Sequence, residues 1–94
     1  MSDGCAEFVL ARLDREEEIE RRVLAADDVD EAEAGTWLWV RRDRADRAAK
    51  RRIVANAQRH TPGERGYGAA NYPVRCLAMI WADHPDYQGD RWLL

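Results

Sequence analysis

Ten acids against three arginines lie between Asp14 and Glu33, and seven bases against two acids lie between Arg41 and Arg52. Two successive segments of a 94-residue chain therefore carry opposite charge. Both also repeat apolar residues at helical spacing. Two oppositely charged helices joined by a short connection are most stable side by side and antiparallel, where their fields cancel. A helical hairpin is the arrangement around which the rest of the chain must fit.

On a helical wheel Cys5, Phe8, Val9, Leu13, Ile19, Val23 and Leu24 share one broad side, which predicts a first helix over Cys5–Ala26. The acidic run Asp27 to Glu33 leads to Gly35, where the chain is expected to turn. Trp37 and Trp39 fall in a short irregular or helical lead-in, as covers for the end of a small core. A second helix is expected over about 41–59, with Ala45, Ala48, Ala49, Ile53, Asn56 and Ala57 on its contact side, small enough for close helix approach. The glycines and proline between Thr61 and Gly68 predict a flexible loop at about 61–70.

Asn71-Tyr72-Pro73 reads as a helix entrance with proline in the first turn, so a third helix is expected over about 73–82. It is apolar on nearly every side except Arg75, which requires cover from several directions. His84-Pro85 ends it, and Tyr87 and Trp92 are expected to fold back as an aromatic lid. Hydrophobic residues make up 46% and charged residues 35% of the chain, a balance that suits one thin core beneath a charged coat. The expected architecture is a single all-α domain over residues 1–94: an antiparallel hairpin, a third apolar helix and a C-terminal aromatic tail.

Cys5 and Cys76 are the only cysteines, and Met1 to Leu13 has neither the basic lead nor the apolar run of a secretion signal, which predicts reduced thiols and a cytoplasmic setting. No apolar stretch approaches the length needed to cross a bilayer. Glu16 and Glu20 point into the apolar arc of the first helix, and Arg52 does the same in the second. With the hairpin turning near Glu33, these three are expected to form an interhelical ion pair that fixes register, since a partly buried charge is tolerated when paired.

A second reading of the same acids has Glu16, Glu17, Glu20, Asp43 and Asp46 binding a divalent cation through oxygen ligands. Their spacing loosely resembles the acidic motifs of all-helical nucleotide pyrophosphohydrolases of the MazG type, in which magnesium carries the phosphate chemistry. His60, Cys76 and His84 lack the close ligand pairs of a zinc site. They read instead as a residue near a helix end, a core filler and a turn residue. No hydroxyl or thiol stands in a nucleophilic arrangement, and the glycine-rich loop lacks the lysine of a phosphate cradle. No catalytic residue and no cofactor are expected.

Three segments carry a family resemblance: Phe8 to Asp14 with the glutamates that follow, Ala48 to Val54, and Arg75 to Tyr87 with Trp92. On these the chain resembles a family of small proteins of actinobacteria and their phages, known as domain of unknown function 6221. The resemblance implies a compact helical domain in the cytoplasm, and no activity comes with it. Many members carry a cysteine-containing insert between helices two and three that looks like a metal site; here Thr61 to Tyr72 has no cysteine.

The function expected is that of a non-enzymatic interaction module, an accessory protein that binds another protein or a second copy of itself. Trp37, Trp39, Trp81, Tyr87 and Trp92 are its candidate anchors. A nucleic-acid surface formed by Arg41, Arg42, Arg44, Arg47, Lys50 and Arg51 is the remaining alternative, weakened by the acids expected to neutralise it.

Overall fold

The computed structural model describes residues 3–92, in which every regular element is helical. Helix α1, Cys5–Ala26, and helix α3, Leu38–Gln58, form the long hairpin, and the short α2, Glu31–Ala34, lies in the connection. Helix α4, Tyr67–Ala78, continues into a 3-10 turn over Met79–Trp81, and α5, Gly89–Trp92, closes the described chain. The body is elongated, 48 × 26 × 18 Å. The long dimension reflects α1, whose 22 residues span about 33 Å.

The main core lies at one end of the hairpin. Phe8, Val9 and Leu13 from α1 meet Val54 and Ala57 from α3, Val74 and Ala78 from α4, and Trp92 from the tail. A smaller cluster of Leu24, Ala34 and Val40 seals the other end, with Val29 and Trp37 packed on it. The first helix has the bounds its periodicity predicts. Its C-terminus closes by backbone chemistry, because Val29 N–H donates to the Leu24 carbonyl at 3.0 Å and Asp28 N–H to the Ala25 carbonyl at 3.1 Å. This is a Schellman closure with Asp28 in the left-handed position at φ 57°, while Val29 packs on Leu24. Gly35, expected at the turn, keeps an ordinary φ of −63°.

Three expectations need correction. Helix α4 begins at Tyr67 rather than Pro73, so the loop is shorter than 61–70 and Pro73 stands inside the helix. Gly66 sets that start by adopting φ 91°, and Thr61 braces the turn by donating its backbone N–H and its hydroxyl to Glu64. The outer side of this helix and of the 3-10 turn that continues it is not covered, since Tyr72, Met79 and Ile80 are 58%, 53% and 57% exposed. The contact side of α3 is also rotated from the alanine stripe: Ala45, Ala48 and Ala49 are exposed, and Val40, Arg47, Val54 and Ala57 are buried. Arginine stems carry enough apolar length to line a helix interface while their heads find carboxylates.

The tail folds back as expected. Phe8 sits among four rings, with centroids at 6.4 Å to Trp81, 5.6 Å to His84, 6.1 Å to Tyr87 and 5.1 Å to Trp92. Asp3 ties three elements together. Its carbonyl accepts the Trp92 indole N–H at 3.2 Å, and its carboxylate accepts from the Cys5 backbone and from Arg75, both at 3.0 Å. Arg12 meets His84 at Nε2, and the Asp86 backbone N–H meets Nδ1 of the same ring at 3.0 Å.

Candidate functional site

Charge pairing across the hairpin explains its middle. The Glu20 carboxylate accepts from Arg47 at 2.7 Å and from Arg44 at 3.0 Å, so each of its oxygens has a guanidinium partner. Arg44 also reaches Glu31 at 2.9 Å, and Arg51 reaches Asp14 and Glu17, each at 2.8 Å. Burial pushes the Glu20 carboxyl up, but the hydrogen bonds from Arg47 and Arg44 outweigh it and hold the group below the ordinary carboxylate range. The expected register pair therefore exists around Glu20 with different bases. Arg52 is exposed and Glu16 is half-buried, and neither makes an ion pair among the described residues. The α3 arginines that meet α1 carboxylates are Arg44, Arg47 and Arg51, and Arg52 lies off that face.

This network borders an open groove of about 480 Å³ between α1 and α3, whose lining includes Glu20 and Arg47 themselves. Ile19, Val23 and Trp39 line it and are 45%, 43% and 45% exposed, although α1 periodicity predicts the first two to be core. They lie bare because α4 covers the furrow only near its other end. Lys50, which lines the groove, holds its Nζ 5.8 Å from the centroid of the Trp81 ring, at the point where the 3-10 turn stops.

Glu16, Asp43 and Asp46 edge the same groove. Asp46 is taken by Lys50 at 2.7 Å, while Glu16 and Asp43 have no hydrogen-bonding or ionic partner among the described residues. The acids of the cation reading are thus divided, with Glu17 engaged by Arg51 and Glu20 by Arg44 and Arg47. Among the described residues no three His, Cys, Asp or Glu side chains are grouped to hold a metal ion. His60 lies 3.6 Å from Glu64, Cys76 is half-buried on α4, and His84 is held by Arg12 in the tail.

The aromatic anchor candidates separate by burial. Trp92 is 1% exposed and belongs to the core, which removes it from any surface. Trp37, Trp81 and Tyr87 are half-buried, and Trp39 is exposed, its ring 5.9 Å from that of Trp37. Of the six bases in the nucleic-acid reading, Arg44, Arg47, Lys50 and Arg51 are engaged by carboxylates, leaving Arg41 and Arg42 exposed. No helix among the described residues is long and apolar enough to cross a membrane.

The groove itself was hidden from sequence reasoning. Ile19 and Val23 have the spacing of core residues, and only the stopping point of α4 leaves them uncovered. A family model described as a family of unknown function (DUF6221) matches residues 2–94. No curated protein and no solved structure matches the chain.

Proposed function

Since the chain belongs to the DUF6221 family, whose function is unknown, its own surface must supply the reading, and we propose that it is a non-enzymatic protein–protein interaction module that docks a partner in the groove between α1 and α3. The observation that supports this is the joint exposure of Ile19, Val23 and Trp39 at 45%, 43% and 45% in one concave site. Three large apolar side chains in a furrow expose area that a docked side chain would remove from water, at about 25 cal/mol per Å². Tryptophan is also among the residues that most often carry binding energy.

Affinity capture with the wild-type protein and with Trp39→Ala in parallel tests the reading. A partner retained by the first and lost by the second supports it, and partners retained equally by both count against it. Trp39 is exposed, so its replacement leaves both cores intact.

Self-association is a second reading, favoured by the stripe of Tyr72 on α4 with Met79 and Ile80 on the 3-10 turn that continues it, all more than half exposed. Sedimentation over a concentration series separates it from the first. A dimer dispersed by Ile80→Glu and unaffected by Trp39→Ala would assign the α4 face to a second copy.

A further inference from the structure

We infer that the occupant of the α1–α3 groove is an amphipathic helix with an apolar stripe flanked by lysine or arginine, an inference that rests on the groove being a docking site.

A helix is the shape the furrow takes. At the other end of the hairpin α4 packs against both α1 and α3, building the main core through Val74 and Ala78. Where that cover ends at Trp81, the same two helices continue with their inner apolar residues bare. A third helix there would complete a three-helix packing of the kind α4 makes, with side chains at i, i+3 or i+4 and i+7 meeting Ile19, Val23 and Trp39.

The charge follows from the groove walls. Both lining cations are already neutralised, Arg47 by Glu20 at 2.7 Å and Lys50 by Asp46 at 2.7 Å. Glu16 on α1 and Asp43 on α3 are left as carboxylates without partners among the described residues. An acidic helix or a phosphate backbone would meet repulsion from both walls, whereas a helix bearing cations beside its apolar stripe would find one carboxylate on each.

The test is fluorescence polarisation with dye-labelled designed helices of about four turns. They share one leucine stripe and differ only in their flanking positions, which are lysine and arginine, glutamine, or glutamate. At low salt the basic peptide is expected to bind about tenfold more tightly than the glutamine peptide, with the glutamate peptide weaker still and the preference shrinking as salt is added. The double variant Glu16→Gln, Asp43→Asn should bring the basic peptide to the affinity of the glutamine peptide, and Trp39→Ala should weaken all three.

Equal binding of the basic and glutamine peptides, lost on Trp39→Ala, would overturn the basic partner and leave the docking groove standing. Basic-peptide binding that survives Trp39→Ala would mean diffuse attraction and overturn both. Absence of binding by every peptide would remove the groove as a helix site. Sedimentation of the protein alone completes the test, because a dimer abolished by Trp39→Ala would give the groove to a second copy and refute the inference.

Discussion

Arg47 places a guanidinium nitrogen 2.7 Å from the carboxylate of Glu20, and the two residues are only 5% and 7% exposed. The pair joins α1 to α3 in the stretch between the two apolar clusters. Arg44 takes the second carboxylate oxygen at 3.0 Å, so a shift of one helix along the other would leave a buried charge without its partner. Such a pair fixes register more than it adds stability, since desolvation offsets most of the attraction.

Glu20→Gln keeps the side-chain shape and removes the charge, leaving Arg47 buried without a counter-ion. Urea unfolding at neutral pH should show a loss of about 3 kcal/mol. Replacing both partners, with Glu20→Leu and Arg47→Met, should cost much less. The pH dependence has a fixed sign. The folded carboxyl lies below its ordinary value of 4.5, so the native state binds fewer protons than the unfolded chain in acid. Its contribution is complete above pH 4.5 and fades as pH falls through the folded value. The gap between wild type and Glu20→Gln should therefore be level near neutrality and close in acid. A gap that widens in acid would contradict this account.

Phe8 anchors the tail. It is 8% exposed and holds Trp81, His84, Tyr87 and Trp92 around it, the nearest centroid at 5.1 Å. Phe8→Ala is expected to cost about 3–5 kcal/mol, a large share of the stability of a domain this small. Near-ultraviolet circular dichroism should lose most of its aromatic signal, and Arg91 should become a site of rapid tryptic cleavage. Phe8→Leu should show both effects more weakly, because it keeps apolar volume and loses ring contacts.

The hairpin and the returning tail were legible because they follow from strong local signals. Cys5, Phe8, Val9 and Leu13 repeat at helical spacing, and His84-Pro85 cannot continue a helix. The face of α3 was not legible, since arginine counts as polar in a periodicity while its stem packs as an apolar chain; Arg47 is buried and Ala48 exposed. Glu20 was found from its place in the apolar arc of α1. Its partners were missed by the same error of face. The start of α4 was misplaced because Pro73 resembles a first-turn proline, whereas the backbone at Gly66 had already begun the helix. Ile19 and Val23 show the remaining limit: a wheel indicates which side is apolar, and the length of a third helix decides how much of that side is covered.

Cys5 should be the slow thiol. It is 3% exposed, and burial, then the charge of Asp3, pushes its thiol up to about 11. At pH 8 about one molecule in a thousand would carry the thiolate there. A disulfide reagent at that pH should modify Cys76 first, with Cys5 reacting at the rate at which the core opens, and peptide mapping after timed quenching would distinguish them. The linkage adds a second readout. A folded value above the unfolded one of about 9.0 contributes stability that is complete below pH 9 and declines as pH rises towards 11. Cys5→Ala should remove that alkaline decline while lowering stability at neutral pH by the loss of a small buried side chain.

The closure of α1 offers a gain instead of a loss. Asp28 occupies the left-handed position at φ 57° that a Schellman closure requires, and a Cβ there costs about 1 kcal/mol relative to glycine. Glycine brings its own entropic cost in the unfolded chain, which offsets part of that advantage. Asp28 also sits at the C-terminal end of α1, where the helix dipole disfavours a negative charge. Asp28→Gly removes both the strain and the charge, so thermal unfolding should shift upward by the equivalent of about 0.5–1 kcal/mol. Asp28→Val, with a branched side chain at positive φ, should shift it downward by at least as much. Gly35→Ala supplies the contrast: its φ of −63° suits any residue, and an added Cβ would meet the Glu31 carbonyl at 3.4 Å, an ordinary contact. That substitution should be neutral or slightly stabilising. If Asp28→Gly lowered the midpoint while Gly35→Ala left it unchanged, the aspartate side chain would have to be contributing something the backbone conformation does not explain.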